Sequence, residues 1–124
     1  MKFIARNVII ISIVFCFVAG FGAPAYSSAE SLIRDAIQKV ETGSRLVEKA
    51  KNRINPNSTV QDFQVALELY VESGQLFEQA GKIMKALGPQ YIGPEDLEGC
   101  AQALQSCVHA IEELKHQIRK RRLQ

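Results

Sequence analysis

The chain has no tryptophan, only two methionines and two histidines, and three cysteines among its 124 residues. Without tryptophan the widest aromatic wall for a small-molecule pocket is missing. The motifs of several chemistries are missing too. There is no H-E-x-x-H for a catalytic zinc, no G-x-S-x-G nucleophile elbow and no glycine-rich phosphate loop. No C-x-x-C or C-x-x-C-H occurs, which leaves thioredoxin-like exchange and covalent haem attachment without a motif. Adjacent carboxylates stand only at Glu95, Asp96 and Glu98, where a helix start accounts for them, and at Glu112 and Glu113, where a solvated face does. The chain therefore reads as a non-enzyme with no cofactor.

Charge of one sign is also scarce. The formal net charge is +2, and removing Lys2 and Arg6 leaves 13 basic against 13 acidic side chains. That balance excludes a general nucleic-acid binder, which needs a positive field to neutralise phosphates. A charge-driven partner has to engage a local patch instead. The length allows one domain with a modest core and leaves no room for a second.

What is present begins with a tripartite start. Basic Lys2 and Arg6 precede an apolar run from Val8 to Phe21, followed by small residues at Ala23, Ala25 and Ala29. This is the layout of a secretory signal, and it predicts a signal peptide over residues 1–25 with cleavage after Ala25 or Ala29. Fourteen apolar residues reach only about 21 Å as a helix, against roughly 30 Å of membrane hydrocarbon, which disfavours a permanent anchor. Cys16 lies inside the run behind Phe15, not at its end, so it does not mark a lipoprotein. The expected location is the periplasm, with the extracellular medium as the alternative.

From Ser27 onward apolar and small residues recur in steps of four and three. Ala29, Ile33, Ala36, Val40, Gly43, Val47, Ala50 and Ile54 form one seam of coiled-coil type. Ser27 and Glu30 have capping-box spacing at its start, and Asn55-Pro56-Asn57-Ser58 stops it, predicting a helix over about 29–54. Ser58 and Gln61 repeat the capping spacing before a second helix over about 59–87. It carries two stripes, one through Phe63, Tyr70 and Phe77, the other through Ala66, Ser73 and Ala80, and Gly88-Pro89 ends it. Pro94 at a first helical position, with Glu95 and Asp96 behind it, opens a third helix over about 94–122. Its seam is Leu97, Cys100, Leu104, Cys107, Ile111, Leu114 and Ile118.

Connections of five or six residues set neighbouring helices antiparallel, which makes the expected fold class all-α, an up-down-up three-helix bundle over 26–124. Folding the first helix back about the 55–58 turn places Gly43 opposite Tyr70 and Ala36 opposite Phe77. Folding the third places Cys100 beside Gly81 and Cys107 beside Gly74. Three helices do not fully cover two stripes, so some apolar surface is expected to remain for self-association. Gly74, Phe77, Gly81, Ile83 and Ala86 are spaced in a way similar to the first part of a tetratricopeptide repeat. Gly88-Pro89 breaks the chain where that repeat's second helix would run, and no second copy follows.

Three groups of residues carry candidate function. Cys100 and Cys107, about 10.5 Å apart along one helix, are too far apart to bridge each other and read as core fillers. The alternative is an intermolecular disulfide, a soft-metal site or a redox-responsive pair, which would make the protein a carrier or sensor. His109, Glu112, Glu113 and His116 share one side of the third helix and are candidate metal ligands beside the cysteines, although that side faces away from the seam. Arg119, Lys120, Arg121 and Arg122 form a basic end suited to a protein or an anionic envelope polymer or lipid surface. The combined expectation is an exported helical interaction or scaffold module.

Overall fold

The computed structural model describes residues 23–123, with side chains from Ser28 onward. The run from Val8 to Phe21, together with Lys2, Arg6, Cys16 and the side chain of Ala25, lies outside the described residues. Three helices and no strand are found among the described residues: α1 Ala23–Arg53, α2 Val60–Leu87 and α3 Pro94–Leu123. None of the three is long and apolar enough to cross a membrane.

The starts of the first two helices differ from the spacing argument. α1 is already helical at Ala23, so Ser27 lies within it and does not cap it. Glu30 pairs instead with Arg34 one turn on. Alanine-rich sequence propagates a helix readily, and Pro24 in the first turn forfeits no hydrogen bond. At α2 the cap is Thr59, one residue later than Ser58, and its box partner is Asp62, not Gln61. The Thr59 N–H donates to Asp62 Oδ2 at 2.9 Å, and the Asp62 N–H donates back to Thr59 Oγ1 at 3.2 Å. A carboxylate suits this position better than an amide because the helix N-terminus attracts negative charge. The Thr59 backbone bond, then its hydroxyl, holds the Asp62 carboxyl below its ordinary pKa.

Ser58 is occupied elsewhere. Its buried hydroxyl donates to the Arg53 carbonyl at 2.7 Å and accepts the Asn55 N–H at 2.8 Å. Asn55 to Ser58 thus fold as a tight turn after the end of α1, with the Ser58 N–H on the Asn55 carbonyl at 3.0 Å. At the other ends the spacing argument holds. Gly88 leaves α2 at φ 84°, a conformation that favours glycine, with its N–H on the Met84 carbonyl at 3.1 Å. Pro94 opens α3, and Lys120, Arg121 and Arg122 close it.

Consecutive helices pack antiparallel. Arg53 meets Asp62 and Gly43 meets Phe77 across α1 and α2; Gly81 meets Cys100 and Gly74 meets Cys107 across α2 and α3. The second register is the one expected, but the first is not. Gly43 faces Phe77 and Ser73 instead of Tyr70, a slide of one to two turns. With Ser58 held in the turn and Thr59 as the cap, the reversal comes later, so these α1 positions meet residues further along α2.

The core runs along α2, with Phe63, Ala66, Tyr70, Phe77, Ala80 and Met84 buried between Ala36, Val40 and Ala50 on one side and Cys100, Cys107, Leu114 and Ile118 on the other. Each large side chain so enclosed contributes about 1.5–3 kcal/mol. Large meets small as expected, with the Phe77 ring laid against Gly43. A Cβ on Gly43 would stand 3.1 Å from Phe77 Cζ. α1 packs on α2 and α2 on α3, whereas α1 and α3 barely touch. The outer helices splay, and an open channel remains between them.

Candidate functional site

That channel is floored by Tyr70 and Phe77 of α2. One stretch, about 420 Å³, has Val47, Glu48 and Lys51 on the α1 bank and Ala103, Cys107 and Ala110 on the α3 bank. A second stretch of about 370 Å³ shares Tyr70 and Ala110 and continues past Phe63 and Leu114 to Ile54. From Ala103 to Gln117 the groove follows α3 for about 21 Å, nearly four turns. It exists because the α3 bank is built of small residues, Ala103, Ser106 and Ala110, where a bundle closed on itself would need large ones. The walls are mainly apolar, and Glu48, Lys51, His109 and Glu113 supply charge or polarity at the rim.

Tyr70 lines both stretches of the groove. Burial raises its phenol above the ordinary value, and the neighbouring Cys107 and Glu48 add to the rise. The phenol therefore stays protonated at neutral pH and is available as a hydrogen-bond donor in apolar surroundings.

Both cysteines of α3 are free, buried thiols. Cys100 Sγ donates to the Phe77 carbonyl at 3.1 Å. Cys107 Sγ donates to Ser73 Oγ at 3.6 Å, and that hydroxyl donates to the Gly43 carbonyl at 2.7 Å. One serine of the middle helix thus touches both outer helices. Burial pushes the Cys100 thiol up to about 11 and the Cys107 thiol upward as well. Reactive or metal-binding cysteines need the thiolate, so this environment works against both uses.

The histidine-carboxylate group does not converge on one point. His109 and Glu113 line the groove, while Glu112 and His116 are exposed and line neither stretch of it. Among the described residues no three His, Cys, Asp or Glu side chains are placed to hold a metal ion together.

The basic end is divided in the same way. Arg121 turns inward: its Nη1 donates to the Ser58 carbonyl at 2.9 Å, and its guanidinium lies 5.0 Å from the centre of the Phe63 ring. Arg119 and Arg122 instead join Lys115 around a recess of about 240 Å³ walled by Gln64, Leu67 and Ile118. Lys120 is exposed and does not line the recess. Reading four consecutive cations as one unit obscures this division. The helical spacing of 115, 119 and 122, which puts them on one face, is the signal that separates them. No protein-family model, curated protein or solved structure matches this chain.

Proposed function

We propose that the protein is a non-catalytic interaction module of the cell envelope, and that the groove between α1 and α3 receives an amphipathic helix of a partner protein. The observation that carries this reading is the splay of the outer helices over an apolar floor. Three long antiparallel helices occupy three corners of a four-helix arrangement, and the fourth corner is an apolar channel about four turns long. A helix presenting apolar residues at steps of three and four would bury Val47, Tyr70, Phe77 and Ala110 together, the recognition mode of helix-in-groove complexes. The rim suits polar flanks of either sign, with Glu48 and Lys51 on one bank and His109 and Glu113 on the other. The apolar N-terminal run, read as an export signal, is what supports an envelope location.

The test is site-specific photocrosslinking in the organism that makes the protein. A photoreactive residue at Ala110, in the groove, is expected to give an adduct that the same residue at Gln79, on the exposed face of α2, does not. The adduct should map to a segment with helical apolar spacing in another protein. It should disappear when Ala103→Trp fills the groove in a variant that keeps its helical circular dichroism. Equal adducts from both positions would reject the groove as the site. An adduct to the chain itself would replace the partner with a second copy.

A further inference from the structure

We propose that the outer face of the last three turns of α3 docks on an anionic phospholipid surface, with the recess between Lys115, Arg119 and Arg122 receiving a headgroup phosphate. This site is separate from the groove and does not depend on it. The three cations sit at i, i+4 and i+7 on one face of the helix and converge on the same small recess. None of them has an ion-pair partner among the described residues. The nearest acids along α3 are Glu113 and Glu112, two and three residues before Lys115, and neither lines the recess. Gln64 adds a side-chain amide from α2, while Leu67 and Ile118 give the recess an apolar floor.

Helix-end electrostatics account for only part of this arrangement. Cations in a last turn complement the helix dipole, and Lys120, Arg121 and Arg122 stand there. Lys115 lies two turns further back, where that effect has faded. The recess is too small for a helix and of a size for one phosphate group with the start of its substituent. Apolar groups beside it favour a lipid over a soluble phosphate. Leu123 is 88 % exposed next to Arg122, and Val108, two turns before Lys115 on the same face, is 50 % exposed. Basic side chains flanked by protruding apolar ones are the pattern of interfacial membrane binding.

The experiment uses the full chain and vesicles of neutral phosphatidylcholine with or without 30 mol% phosphatidylglycerol. The N-terminal segment, with Lys2 and Arg6, contributes alike in the parent and the variants, so the readout is the change that the substitutions cause in the ratio of binding to anionic over neutral vesicles. One basic side chain near an anionic surface contributes about a factor of five, so Lys115→Gln, Arg119→Gln and Arg122→Gln together should lower the ratio on the order of a hundredfold. Single substitution of Lys120 should leave most of it. High salt should abolish the preference in the unmodified chain. An unchanged ratio in the triple variant, or no anionic preference in the unmodified chain at low salt, overturns the proposal. Full displacement from vesicles by millimolar inorganic phosphate at constant ionic strength would assign the recess to a soluble phosphate and also overturn it. So would retention on an acidic peptide without any vesicle preference. Circular dichroism of the triple variant checks that the helices persist, and Arg119→Gln with Arg122→Gln alone gives a milder second variant should they not.

Discussion

Replacing Ser73 with alanine should loosen the middle of the molecule, because a single hydroxyl there holds both outer helices. Ser73 is fully buried; its Oγ donates to the Gly43 carbonyl of α1 at 2.7 Å and accepts the Cys107 thiol of α3 at 3.6 Å. A buried hydroxyl-to-carbonyl bond contributes about 0.5–1.5 kcal/mol net, and the long thiol bond adds a few tenths at most. Alanine returns about 0.5 kcal/mol through its better helix propensity. The Gly43 carbonyl keeps its helical partner, so no acceptor is orphaned. The expected net loss is therefore about 1 kcal/mol, which urea denaturation followed by circular dichroism should show as a midpoint lowered by roughly 0.5 M. Ser73→Val adds bulk between two close helices as well as deleting the bond, and should cost about 2–3 kcal/mol. An alanine variant as stable as the parent would refute the claim that this hydroxyl joins the three helices. So would a valine variant better tolerated than alanine.

Two further outcomes follow from named groups. Thr59→Ala removes the acceptor for the Asp62 N–H and should lower stability by about 1 kcal/mol in the same urea assay; an unchanged midpoint would mean that the Asp62 side chain alone suffices. Cys100 should make the fold sensitive to alkali. Its thiol ionises near 9.0 when unfolded but only near 11 when folded, so its contribution is complete below pH 9 and lost as pH rises toward 11. Over that window stability should fall by about 1.4 kcal/mol per pH unit from this group, with Tyr70 and Cys107 adding in the same direction. Urea midpoints at pH 8 and 10.5 should differ less in Cys100→Ala than in the parent, and an identical difference in both would show that the thiol is not protected by the fold.

The helices and their antiparallel pairing were legible in the sequence because the three-and-four spacing of apolar residues is long and uninterrupted, and Pro56, Gly88 and Pro94 punctuate it. The seating of Cys100 and Cys107 against Gly81 and Gly74 was legible for a related reason: the bend after Gly88 and the start at Pro94 leave little freedom in where α3 begins. The register of α1 was not legible. Ser58 and Thr59 are both competent caps, and only the tertiary setting assigns one to the turn and the other to the helix. That choice shifts the reversal toward α2 and moves Gly43 from Tyr70 to Ser73 and Phe77. The groove was half visible, as apolar surface in excess of what three helices cover. Its location depends on the angle between α1 and α3, which two helices with no direct connection do not encode locally. The inward turn of Arg121 depends on the Ser58 carbonyl 63 positions away, so no local pattern announces it.

The clasp between Arg121 and the Ser58 carbonyl also bears on how the molecule is finished. The hairpin of α1 and α2 is complete in sequence by Leu87, yet its bend gains this hydrogen bond only once residue 121 has emerged, because the guanidinium that braces it sits almost at the far end of α3. A chain interrupted a few residues early would still carry all three apolar seams, but its first corner would be left loose. Shortening the tail should therefore be felt soonest at the opposite end of the reading order, as faster amide exchange around Asn55 to Thr59, before any loss of helix.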